Sequence, residues 1–149
     1  GRLMRGRSGL CEPGHISIFG LDKACGCGKS GCAEAYVAGR ALEELREARH
    51  PAVPIGEIFC AMSCSERERY VDILAHLLAS AVQLLDPDAI IMGGGVCAMQ
   101  GFPRRELLER LCELCMSPVP ASTLNLLYPE PGDDAGVFGA SVFAAGALD

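Results

Sequence analysis

The chain has 149 residues, half of them apolar and 21% charged, with a net charge of −6. That length and apolar share fit one domain with a real core and exclude a disordered chain. The acidic balance, with no stripe of lysine or arginine, argues against nucleic-acid binding by this segment, and no apolar run approaches the ~20 residues of a membrane span.

In chain order, the opening GRLMRGRSG reads as a strand over Arg2–Arg5 already in progress, so the N-terminal end is expected to be a cut. A turn through Glu12–His15 leads to a short strand at Ile16–Phe19. A cysteine-rich loop follows. From Glu34 to about Ala48 the apolar residues Tyr36, Val37, Ala41, Leu42 and Leu45 recur at three- and four-residue steps, which predicts one helix. Pro51 and Pro54 end it, and a short helix is expected over Gly56–Met62. Ser65 and Glu68 form an S-x-x-E capping box for a long helix to about Leu85, with Val71, Leu74, Leu78, Val82 and Leu85 on its apolar face. The run Asp86–Asp88 stops it. Ala89–Met92 reads as a short buried strand, and three glycines turn the chain. Pro103 opens a helix to about Met116. Leu124–Tyr128 reads as a strand and Ala135–Leu148 as a last helix, so the C-terminal end is expected to be natural. Strands alternating with helices indicate an α/β fold.

Nine cysteines, an odd number with no visible secretory signal, argue against a disulfide scaffold. They favour a reducing, cytoplasmic setting and a metal site. The stretch CGCGKSGCAE, with His15 ten residues before its first cysteine, supplies His15, Cys25, Cys27 and Cys32. One imidazole and three thiolates make a complete tetrahedral set of the closed, structural-zinc kind. Glycines at 26, 28 and 31 let the backbone fold tightly enough for the sulfurs to converge. The alternative is a glycine-rich loop with incidental thiols. Cys60, Cys64, Cys112 and Cys115 read mainly as core positions, the alternative being a second metal site. His50 and His76 read as a helix end and a helix face, Met62 and Met92 as packing residues.

EPGHI followed by CGCGKSGCAEAYVAG is similar to the signature of the ROK family of bacterial sugar kinases and sugar-responsive repressors, and the likeness extends over essentially the whole chain. Within it, LLDPDAIIMGGGVCAMQGFPRRELLERL resembles the D-allose kinase branch. The resemblance implies that residues 1–149 form the C-terminal lobe of an actin-like (ribonuclease H-like) sugar kinase fold with a zinc-binding loop. It implies that Glu12, His15 and Glu34 bind sugar hydroxyls, with carboxylates accepting charge-assisted hydrogen bonds. His15 would give one ring nitrogen to zinc and offer the other to the sugar. It places Gly93, Gly94 and Gly95 beside the adenosine and phosphates of ATP, although such a turn by itself is more often only a tight turn. Gly136 and Gly139 are further candidates there.

The implied reaction is phosphoryl transfer from ATP with magnesium to the 6-hydroxyl of a hexose, D-allose first, with glucose or N-acetylmannosamine as alternatives. The family's catalytic aspartate and D-x-G-x-T loop lie upstream of the matched motifs and are not in this sequence, so no residue here is expected to be catalytic and this segment alone is expected to be inactive. Two other readings stay open: the sugar-sensing part of a ROK repressor, and a zinc-stapled interaction domain. A homodimer is the expected assembly.

Overall fold

The computed structural model describes residues 7–8, 11–129 and 135–146. The expected strand at Arg2–Arg5 and the last residues of the final helix lie outside them. The elements are α1 (Glu34–Val37), α2 (Gly39–Arg49), α3 (Ile58–Ala61), α4 (Cys64–Leu85), β1 (Ile90–Ile91), α5 (Gly95–Ala98), α6 (Arg104–Leu114), β2 (Leu126–Leu127) and α7 (Ala135–Gly146). Short 3-10 turns occupy Pro13–His15, Ile55–Glu57 and Ala121–Thr123.

The long helix α4 is the spine. It buries Tyr70, Val71, Ile73, Leu74, Ala75, Leu77, Ala79 and Val82, a broad face that reaches α1 on one side and α6 on the other. Leu78 of the expected stripe is half-buried and Leu85 is exposed. Phe59 from α3 is fully buried and packs edge-on against Tyr70 and Phe102, at 5.0 and 5.4 Å between ring centres. Leu42, Ile58 and Leu107 complete this core. A smaller cluster of Ala79, Val82, Leu111 and Cys115 lies farther along α4.

The helix expected over 34–48 is two helices. Ala38 is extended between them. That break orphans the Val37 carbonyl, and the buried Tyr70 hydroxyl donates to it at 3.2 Å. The capping box of α4 also starts earlier than expected: Ser63 accepts from the Glu66 N–H at 3.3 Å, while the Glu66 carboxylate accepts from the Ser63 N–H at 2.9 Å. Ser65 and Glu68 have the same spacing, but Glu66 also meets His50 Nε2 at 3.1 Å and Arg49 at 3.3 Å. The earlier frame therefore carries more interactions.

The Ser63 backbone N–H first, then the Ser63 hydroxyl and His50, pull the Glu66 carboxyl from 4.5 down to about 2. A carboxyl depressed on folding stabilises fully above its unfolded value and loses that effect as pH falls toward the folded value. Glu66→Gln is therefore expected to lower the unfolding free energy by roughly 1–3 kcal/mol at pH 6. The gap to the parent protein should close between about pH 4.5 and pH 2. Denaturant titrations of both proteins at pH 6 and pH 2.5 check this; a gap independent of pH would contradict it.

The strands β1 and β2 are parallel, with Ile90 opposite Leu126 and Ile91 opposite Leu127. Ile90 and Leu126 face the core, whereas Ile91 and Leu127 are exposed. The expected buried strand is thus covered on one face only. Ile16–Phe19 forms no strand; Ser17 makes a single antiparallel bridge to Cys32, and Ala24 another to Ser30. On α7, Val137, Phe138, Val142 and Phe143 are exposed. No described helix is long and apolar enough to cross a membrane.

Candidate functional site

The Pro13–His15 turn rests against α4, and a chain of backbone bonds ties it to the cysteine loop. Ile18 donates to Gly31 at 2.9 Å and Ala33 donates to Ile16 at 3.0 Å. At the loop tip Gly28 donates to the Cys25 carbonyl at 3.0 Å and Cys25 to the Lys29 carbonyl at 2.8 Å. Gly31 is required on two counts: its φ is +77°, and a Cβ there would stand 2.4 Å from the Leu21 carbonyl oxygen. Gly28 also has positive φ, but Gly26 has ordinary φ and open space around it, so it is not needed for convergence.

The result is a compact donor set. One ligand atom from each of His15, Cys25, Cys27 and Cys32 lies within 4.8 Å of all the others. Cys25 Sγ is 3.6 Å from His15 Nδ1, and Cys27 Sγ is 3.6 Å from Cys32 Sγ. A tetrahedral ion with bonds of ~2.3 Å to sulfur and ~2.0–2.1 Å to nitrogen needs S···S edges of about 3.8 Å and N···S edges of about 3.6 Å. The four residues therefore fit a metal ion with little movement. Burial pushes the Cys32 thiol up to about 11, while the Lys29 backbone N–H, more than any other group, pulls the Cys27 thiol down. A bound cation would hold both as thiolates. Among the described residues no second group of this kind exists: Cys60 and Cys64 are exposed, Cys112 is half-buried and Cys115 packs in the smaller core.

His15 joins this cluster to the neighbouring carboxylate. With Nδ1 toward Cys25, its Nε2 faces Glu34 Oε2 at 3.7 Å. Glu34 opens α1 two residues after Cys32, and its side chain lies over Gly14, where a Cβ would come within 3.2 Å of Oε2. Glu12 contributes its backbone carbonyl to the turn, accepting from the His15 N–H at 3.1 Å, and its carboxylate is exposed. Glu34 thus sets a carboxylate beside the imidazole edge of His15, and Glu12 begins the same turn with its carboxylate exposed, groups of the kind that hydrogen-bond a polyol.

Three supporting residues escaped the sequence reading. Gly14 makes room for Glu34. Lys29 sends its Nζ to the His15 carbonyl at 2.8 Å, tying the turn to the cysteine loop. Tyr36 Oη accepts from the Asp22 and Lys23 N–H groups at 3.0 and 2.6 Å, fixing the loop to the helix that carries Glu34. The first two sit inside the motif, where only their neighbours drew notice. Nothing in the residue type marks Tyr36.

The glycine turn lies elsewhere. Gly93 and Gly94 line a cleft of about 260 Å³ with Met92, Cys97, Arg104 and Tyr128, and Gly95 begins α5. Gly136 and Gly139 are exposed on α7. His50 ends α2 on Glu66, His76 lies on the outer face of α4, and Met62 and Met92 pack on the core, as expected.

Comparison with known proteins identifies the family and the fold. The ROK family model matches residues 1–147. An N-acetyl-D-glucosamine kinase of Pectobacterium carotovorum subsp. carotovorum (strain PC1) is 34% identical over 164 residues, covering 95% of this chain and 52% of the relative. Among solved structures, a ROK hexokinase from Thermus thermophilus superposes with a TM-score of 0.75 at 30% identity, over all of this chain and 53% of its own. A ROK family transcriptional regulator, a homologue of the E. coli MLC protein, shares the fold with a TM-score of 0.69 at 23% identity, over 85% of this chain and 36% of its own. The chain spans about half the length of the curated relatives it matches. Its mixed helices and parallel strands are those of the actin-like ROK sugar kinases, and the chain belongs to the ROK family.

Proposed function

We propose that this chain is the C-terminal lobe of an ATP-dependent ROK hexose kinase, in which Glu12, His15 and Glu34 bind the sugar and a structural zinc ion braces them. The observation that carries this reading is the placement of Glu34. Its carboxylate is held over Gly14 and beside His15 Nε2, while the opposite edge of the same imidazole faces the cysteines. Zinc suits three thiolates and an imidazole, and four protein ligands leave it no open position. It would therefore orient His15 rather than act as a Lewis acid.

The exposed apolar surfaces support the division into lobes. Parallel strands are ordinarily covered on both faces, yet Ile91 and Leu127 are bare, as are Val137, Phe138, Val142 and Phe143 of α7. The remaining half of a protein as long as its relatives would have such surfaces to cover, and would supply the base that takes the hydroxyl proton and the magnesium-bound ATP. The sugar itself is assigned only as a hexose. The relatives named above do not support D-allose; one is named for N-acetyl-D-glucosamine and another as a hexokinase.

Glu34→Gln tests the sugar site in the full-length protein. The amide keeps the size of the side chain and loses its charge, and a charge-assisted hydrogen bond contributes about 1.5–3 kcal/mol. Sugar affinity is expected to fall roughly 10- to 100-fold, with metal content and ATP affinity unchanged. Calorimetry with each ligand, beside a metal assay, separates the outcomes. Unchanged sugar affinity would make Glu34 an ordinary surface carboxylate.

A further inference from the structure

The cleft beside Gly93 and Gly94 lies at the carboxyl ends of both strands. β1 leaves through Met92 and Gly93, and β2 through Tyr128 and Pro129, all of which line it. The pairing runs to its edge, with Met92 N–H donating to the Leu127 carbonyl at 2.8 Å. In open α/β folds ligands collect at this end of parallel strands.

One charged residue lines the cleft, Arg104 at the start of α6. Its guanidinium carbon stands 4.4 Å from the centre of the Tyr128 ring, and no carboxylate among the described residues pairs with it. Its neighbours differ: Arg105 pairs with Glu109, and Glu106 with Arg67. Stacking on an aromatic face orients a guanidinium without neutralising it and leaves its N–H edges free. Beneath it, Tyr128 Oη is buried with no hydrogen-bond partner, the one such side-chain atom among the described residues. A buried hydroxyl in that state calls for a partner from outside the described groups.

We propose that Arg104 is a phosphate-binding residue, its guanidinium held by Tyr128 to take the phosphate chain of an adenine nucleotide in this cleft. The inference rests on the kinase reading. The positive φ of Gly94, +92°, and the missing side chain at Gly93 let a ligand approach the backbone on one wall. Among the described residues lining the cleft, Arg104 alone carries a formal charge, and planar N–H pairs match phosphate oxygens.

The test is Arg104→Gln in the full-length protein, with adenosine, AMP and ADP titrated by calorimetry. Arg104 is exposed, so the substitution leaves no buried gap. ADP affinity is expected to fall about 10- to 100-fold, AMP affinity by less, and adenosine affinity by no more than about 2-fold. Sugar affinity and metal content should stay as in the parent protein. Unchanged ADP affinity overturns the proposal. So does an equal loss for adenosine and ADP, which would place Arg104 against the base. If the parent protein binds none of the three while still binding sugar, the kinase reading fails, and this inference with it.

Discussion

Cys27→Ser is expected to abolish stoichiometric metal binding. The parent protein, purified without added metal, should carry close to one zinc per chain, and the variant close to none. Cys27 is the exposed thiol of the four and lies 3.6 Å from Cys32, so it closes the set from the solvent side. Serine is nearly the same size but does not ionise near neutral pH, which removes a thiolate without crowding the loop. The loss should exceed the ~10- to 100-fold that follows removal of a supporting partner, because here a ligand itself is gone. Sugar affinity should fall as well, since His15 would lose the bond that orients its ring. The helical core should persist, because Phe59, Leu107 and most of its buried members come from the helices, with Ile16, Ile18 and Leu21 of the loop region packing only on its edge. Metal analysis and circular dichroism on the two proteins check both halves. A variant that still holds one zinc would show that the cluster is not the metal site.

The sequence made the donor set legible because its chemistry is local. Cys25, Cys27 and Cys32 lie within eight residues, so spacing and residue type carry most of the geometry, and His15 stands ten residues away. The long helix and its stopping point at Asp86 were legible for the same reason: periodicity and capping act over a few residues. The departures come from contacts between distant segments. The break at Ala38 is stabilised by Tyr70, which lies 33 positions along the chain from Val37. The capping frame is decided by Arg49 and His50, which precede the helix by more than a dozen residues. The one-sided burial of β1 depends on what covers its outer face. Glu34 illustrates both cases. Its place after Cys32 is visible in the sequence, but its seat over Gly14 appears only when the two segments fold together.

Phosphoryl transfer by the full-length protein tests the central claim most directly. The chain holds a His15–Cys25–Cys27–Cys32 cluster beside the Glu12–His15 turn and, apart from it, a glycine cleft at the strand ends; on the reading proposed above, these are the sugar and nucleotide halves of a kinase site that lacks its base. With magnesium–ATP and a panel of N-acetyl-D-glucosamine, D-glucose, N-acetylmannosamine and D-allose, the expected result is sugar-dependent ADP release by the full-length protein and none by residues 1–149 alone. One sugar should stand out in kcat/KM, because a site that hydrogen-bonds a hydroxyl penalises an epimer that leaves it unpaired by up to ~10⁴-fold. The comparison also decides between a kinase and the sugar-sensing part of a ROK repressor, the alternative left open by the sequence. Sugar binding without ADP release from any member of the panel would contradict the kinase assignment and leave a sugar-sensing protein in its place.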